Sequence, residues 1–127
     1  LASCSLTKKV YHFLQKKKME YNRTLKIKFD MKSVLITFDQ AHYVRIIELL
    51  DKLSCRGFSY FEQMRGRGSK TGEPHYGSHA WPSMCSAVLT MVEDERVDPL
   101  LEVLHNMDKQ TEQLGLRAFV WNIEKTI

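Results

Sequence analysis

The side chains in this 127-residue chain that could do chemistry are concentrated in one stretch, residues 66–82 (GRGSKTGEPHYGSHAWP). Its first half, Gly66-Arg67-Gly68-Ser69-Lys70-Thr71-Gly72, combines three glycines, two cations and two hydroxyls. Such a loop can turn tightly and offer backbone N–H groups, guanidinium and ammonium to a phosphate or another anion. It is not a phosphate-binding loop of the Walker type, because it runs into a strand and no helix dipole supports it. On composition alone it also reads as a mobile surface loop. The second half carries His75 and His79, with Cys85 six residues further on. Imidazole suits Zn, Cu or Ni, so His75 and His79 are candidate ligands for a divalent metal. Spacing of four converges on an ion only on a helix, however, and Pro74 and Gly77 oppose one, so ordinary loop polarity is the competing reading. Trp81-Pro82 reads as an apolar anchor returning the loop to the body, and Tyr76 as a partner contact, a modification site or a plain exposed tyrosine. Arg117, just after Gly115, is expected near the loop base as an anion contact or a surface charge.

Catalysis finds little support. The chain shows no Ser/His/Asp set, no nucleophile elbow and no paired carboxylates at a plausible cleft. Glu93, Asp94 and Glu95 cluster at a helix start, where the macrodipole accounts for acids. The reading is a protein that binds rather than an enzyme.

The elements that must hold the loop repeat one plan on either side of it. Residues 33–38 (SVLITF) form a strand, and Asp39 caps a helix whose stripe is Tyr43, Ile46, Ile47, Leu50 and Leu53. Gly57 closes that helix, and residues 59–65 (SYFEQMR) form the second strand. After the loop come a strand over residues 86–92, a helix capped by Asp94 with Val97, Leu100, Leu101, Leu104, Asp108, Thr111 and Leu114 inward, Gly115 as its stop, and a strand over residues 117–123 (RAFVWNI). This order predicts an α+β, ferredoxin-like βαββαβ domain: a four-stranded antiparallel sheet with two helices on one face. Both alternating sets of the strands are apolar, Leu35 and Leu89 as well as Val34 and Ile36, and Phe119 and Trp121 as well as Ala118 and Val120. A sheet apolar on both faces needs a second cover, and another subunit supplies it.

Charge is unevenly placed. Residues 1–30 hold eight Lys/Arg against Glu20 and Asp30, giving +6, so the remainder of a chain of net +4 carries −2. A mildly acidic body gives no electrostatic case for nucleic acid, and the strand over residues 86–92 lacks the aromatic and basic residues of an RNA-binding sheet. Residues 1–30 show no sustained apolar period and read as a poorly ordered or extraneous basic segment before the domain of residues 31–127. The alternative for them is an arm that binds nucleic acid or anionic lipid. Cys4, Cys55 and Cys85 are odd in number and form no C-x-x-C. With no signal peptide and no apolar run of membrane-spanning length, they point to a cytoplasmic protein with free thiols.

Residues 31–127 resemble the PII signal-transduction superfamily, specifically the small PII-like proteins of bacteria. The βαβ–loop–βαβ order carries the resemblance, together with Gly66-x-Gly68-x-x-x-Gly72 after strand two, similar to the family's G-x-G-R-Q-K-G, and Gly115 ahead of Phe119-Val120. Ser69, Lys70 and Thr71 stand where that family has Arg-Gln-Lys, and residues 109–117 (KQTEQLGLR) replace its T-G-K-I-G-D-G-K. The resemblance implies a homotrimer with sheets packed inward and a small effector, often an adenine nucleotide, in clefts between subunits. It also implies a mobile T-loop, residues 68–82 here, that engages a membrane transporter or metabolic enzyme. The effector-binding residues it implies are Gly66, Arg67, Gly68, Lys70, Gly72, Gly115 and Arg117; Tyr76, His79 and Trp81 would meet the partner. A relative of the divalent-cation tolerance proteins, which share fold and trimer, is the alternative: a metal-binding or metal-tolerance protein using the loop histidines.

Overall fold

The structure, a computed structural model, describes the backbone of residues 2–29 and 31–127 and the side chains of residues 5–23, 31–112 and 114–127. Cys4, Lys26, Lys28 and Asp30 of the basic segment lie outside the described side chains. The chain runs α1 (Ala2–Phe29), β1 (Met31–Asp39), a 3-10 turn (Gln40–His42), α2 (Tyr43–Lys52), β2 (Phe58–Met64), β3 (Cys85–Glu93), α3 (Asp94–Gln110), a second 3-10 turn (Glu112–Leu114) and β4 (Arg117–Asn122). The four strands form one sheet in the order β2-β3-β1-β4, every pair antiparallel. Both α2 and α3 cover the same face, which is the ferredoxin-like arrangement.

The core lies between that face and the two helices. Val34, Ile36 and Phe38 of β1 and Val88 and Val92 of β3 pack against Ile46, Leu49 and Leu50 of α2 and Val97, Leu100, Leu104 and Met107 of α3. The helical stripes therefore recur as their periodicity predicts, with Leu49 and Met107 added. Tyr43 is exposed, and it stacks on Tyr60 of β2 with ring centroids 4.7 Å apart.

Local details differ from expectation at three helix ends. Asp39 does cap, but it caps the 3-10 turn, its Oδ1 accepting the Ala41 amide at 2.8 Å before α2 begins. The left-handed residue that stops α2 is Ser54, at φ 57°, and not Gly57. The Cys55 amide then reaches back to the Leu50 carbonyl at 2.7 Å, while the Gly57 carbonyl accepts from Thr90 Oγ1. The cap of α3 is Glu93, with Asp94 inside the first turn.

Within residues 1–30, read from composition as a poorly ordered or extraneous segment, the backbone of Ala2–Phe29 is the single helix α1. Every described side chain in it is exposed. No described helix is long and apolar enough to cross a membrane. Because none of the described side chains of α1 joins the buried cluster, deleting residues 1–30 is expected to leave the sheet intact. Thermal unfolding of the shortened chain should shift by less than about 1 kcal/mol, the scale of one ordinary point mutation. A shortened chain that does not fold would place the helix in the core.

Among the described residues the opposite face of the sheet is only partly covered, with residues 123–126 bordering it beside Ser33, Leu89 and Met91. Registered pairing sets three rows across it: Phe61, Ala87, Thr37 and Arg117; then Ser59, Leu89, Leu35 and Phe119; then Met91, Ser33 and Trp121. Phe61, Met91, Phe119 and Trp121 are 42–53% exposed, far more than scattered surface apolar residues require. Ser33 Oγ, buried within this face, has no hydrogen-bond partner among the described residues.

Buried His42 links the two halves. Its Nε2 lies 3.1 Å from Thr111 Oγ1, whose hydroxyl donates to the Met107 carbonyl. With that proton directed to Met107, His42 Nε2–H is the donor to Thr111. Burial lowers the His42 pKa below its ordinary 6.5, and Arg45 adds to the effect. The folded protein thus favours the neutral ring, while the unfolded chain takes up a proton near pH 6.5, so stability falls as pH drops through that value. Urea unfolding of the full chain at pH 7 and pH 5 should show the loss, and His42→Gln should flatten it. An equally steep loss in the variant would assign it to another group.

Candidate functional site

The site is built where the loop leaves β2 and where the chain enters β4. Gly66 and His75 form an isolated antiparallel bridge, with Gly66 N donating to His75 O at 3.0 Å and His75 N to Gly66 O at 2.8 Å. The bridge closes residues 67–74 into a ring. Beyond it, Gly77 N donates to Ser83 O, and Ser78 and Trp81 bond each other, closing a second small ring. The long connection is therefore two hydrogen-bonded turns in series.

His75 anchors the first ring. It is buried, and its Nε2 stands 3.1 Å from Asp39 Oδ2, the carboxylate whose other oxygen caps the 3-10 turn. Pro74 is buried beside it. Trp81 and Pro82, read as the anchor, are both exposed, Trp81 at 43%; the contact that pins the loop is Pro74 and His75 instead. An imidazole with a buried carboxylate to meet outcompetes an indole that finds no apolar recess.

Gly68 meets Gly115 backbone to backbone. A Cβ on Gly68 would stand 2.5 Å from the Gly115 carbonyl oxygen and 3.1 Å from its Cα. Gly115 itself holds φ 66°, the left-handed conformation that ends the second 3-10 turn. Two glycines are thus required for the loop base and the β4 entry to touch. Around them is a cavity of about 120 Å³, bounded by Thr37, Phe38, Gly66, Arg67, Gly68, His75, Cys85, Leu114 and Gly115.

Of the residues read as effector-binding, the structure brings Gly66, Arg67, Gly68 and Gly115 to this cavity. Lys70 is exposed on the first ring, and a Cβ on Gly72 there would meet Ser69 Oγ at 2.8 Å. Neither bounds the cavity. Arg67 and Lys70 have no ion-pair partner among the described residues. Arg117, expected near the loop base as an anion contact or a surface charge, is tied to α3. Its Nη1 donates to Asp108 Oδ2 at 2.9 Å and to the Leu116 carbonyl at 2.6 Å. Asp108 is the reason, and the residue was placed on the inner stripe of α3 without regard to its charge.

Tyr76, His79 and Trp81, read as partner-facing, are all exposed on the second ring. His75 and His79 differ in setting, the former buried against Asp39 and the latter exposed, and the described residues contain no group of three or more His, Cys, Asp or Glu that could hold a metal ion. Burial pushes the Cys85 and Cys55 thiols up from their ordinary values, so both stay protonated at neutral pH. The His75–Asp39 pair and the Leu114 wall are the parts of the site that motif reading missed. Nothing in the sequence signals a contact between residues 36 apart, though an acid just after a strand and a histidine in a glycine loop were both visible.

No protein-family model matches the sequence, and no curated protein matches it either. Solved structures do. The chain is similar to CPII, a nitrogen regulatory PII-like protein from Thiomonas intermedia K12, in a structure bound to ADP, AMP and bicarbonate: 23% identity, TM-score 0.58, covering 73% of this chain and 85% of that one. It is similar to GlnK of B. subtilis in its ATP complex at 19% identity and TM-score 0.57, covering 76% and 84%. A DUF3240 family protein from Shewanella baltica OS155 matches at 17% identity and TM-score 0.56, covering 76% and 93%. The fold of this chain is the PII-like fold.

Proposed function

We propose that the chain is a PII-like regulatory protein: a homotrimer that senses a small effector at intersubunit clefts and signals through residues 68–82 to a transporter or enzyme. The observation that carries this reading is the Gly68–Gly115 contact, which builds a cavity from the loop base and the β4 entry. Its volume, about 120 Å³, is well below the roughly 300–1,000 Å³ of a complete small-molecule pocket. A nucleotide therefore fits only if a neighbouring subunit supplies another wall. The exposed apolar residues of that sheet face, Phe61, Met91, Phe119 and Trp121, support that neighbour, since association through them would bring copies together beside the loop base. Adenine nucleotides are the effector class we favour, because the similar CPII and GlnK structures hold ADP, AMP or ATP.

In this reading Arg67, through its guanidinium and its backbone N–H, and the Gly68 N–H meet the anionic part of the effector, the Gly66 N–H being held by His75. Binding at the base then repositions the first ring, and the exposed Tyr76, His79 and Trp81 of the second ring present the result to a partner. No covalent step is involved, and the protonated thiols suit a site without a nucleophile. The working compartment in this proposal is the cytoplasm.

A thermal-shift screen of the full chain against adenine nucleotides, cyclic dinucleotides, bicarbonate and divalent metals tests the reading. A ligand at a hundredfold excess over its Kd stabilises by about 2.7 kcal/mol, which moves the midpoint by several degrees. The expected responder is a nucleotide. A response to Zn²⁺ alone, abolished by His79→Ala, would replace the regulator with a metal-binding protein.

A further inference from the structure

Helix α1 presents a surface that the loop-base site does not use. At 3.6 residues per turn, Leu6, Val10, Phe13, Leu14 and Tyr21 fall on one stripe spanning roughly 100°, and all five are more than half exposed. Lys17 interrupts the stripe, and this is why the period is hard to read in the sequence. Its Nζ lies 5.7 Å from the Phe13 ring centroid, a cation–π contact at an exposed site. Glu20, Lys9 and Lys16 border the stripe on one side and Lys18 on the other. Residues 5–23 contain six Lys/Arg and one acid, a net +5.

A helix exposed all round gains little stability from its own hydrogen bonds; burying an apolar face is what usually secures it. Five large apolar side chains in a row need a cover that is both apolar and negative at its rim. We propose that α1 binds the surface of an anionic phospholipid bilayer, lying in the interface plane with Leu6, Val10, Phe13 and Leu14 in the acyl boundary and the lysines at the phosphates. Basic flanks around an aromatic and aliphatic stripe are the pattern of interfacial helices. A nucleic acid would engage the lysines through its phosphates and leave the stripe in water. Two copies of α1 packed together would set +5 against +5. The inference stands apart from the loop-base reading, which uses none of these residues.

The test is co-sedimentation of the full chain with phosphatidylcholine vesicles, with and without phosphatidylglycerol. Binding is expected with phosphatidylglycerol only, and to fall steeply in molar salt. Leu14→Gln should weaken it about tenfold through lost burial, and Lys16→Glu about fivefold or more. Circular dichroism and the thermal midpoint should be unchanged in both variants. Failure to bind phosphatidylglycerol vesicles overturns the proposal. So does retention on duplex DNA that Leu14→Gln leaves untouched, which would make α1 a nucleic-acid arm. A change of oligomeric mass in Leu14→Gln with vesicle binding intact would show that the stripe meets a second copy instead.

Discussion

Leu89→Asp should convert the proposed trimer into folded monomers. Leu89 sits in the middle row of the sheet face opposite the helices, registered between Ser59 and Leu35, with Phe119 beyond. In a single chain it is partly exposed, so a carboxylate there stays hydrated and the fold survives. In an interface formed through this face the same charge is buried without a partner, at a cost of several kcal/mol per contact. Light scattering should show the particle mass of the variant fall to that of one chain, with the circular dichroism spectrum kept. An unmodified protein that already runs as a monomer would remove the basis of the prediction.

Gly68→Ala should damage the site through its backbone, with no change of charge. The new methyl would stand 2.5 Å from the Gly115 carbonyl oxygen, and the obstacle is backbone, which cannot swing aside as a side chain can. Either the loop base or the β4 entry must move, at about 1–3 kcal/mol, the usual cost of overpacking. Nucleotide affinity should fall by more than tenfold, because the displaced backbone is the wall of the cavity. Gly57→Ala is the control, since a Cβ there meets nothing within 4 Å; it should leave binding unchanged. Equal affinities in the wild type and Gly68→Ala would move the effector site elsewhere.

Much of the fold was legible because periodicity reports burial directly. The stripes of Ile46 and Leu50 and of Val97, Leu100 and Leu104 recur in the core, and alternation in β1 and β3 showed that both sheet faces are apolar. Helix ends were less legible. Gly57 looked like the residue able to take a left-handed conformation, yet Ser54 takes it, since the chain turns where the last Leu50 and Asp51 carbonyls need donors. Of the site, the glycines were visible because close backbone approach demands them. The side-chain pairings were not: Asp39 with His75 and Asp108 with Arg117 depend on which elements fold side by side, and residue type alone does not choose the partner. Trp81 shows the converse, a large apolar residue taken for an anchor that the loop leaves in solvent.

Calorimetric titration of the full chain with ADP and ATP tests the central claim most directly. The account predicts saturable binding of about one nucleotide per chain. It also predicts a weakening of about 1.5–3 kcal/mol in Arg67→Ala, the worth of a hydrogen bond to a charged group, with the trimer intact. No heat of binding with either nucleotide at millimolar concentration, or binding that Arg67→Ala leaves unchanged, would contradict it.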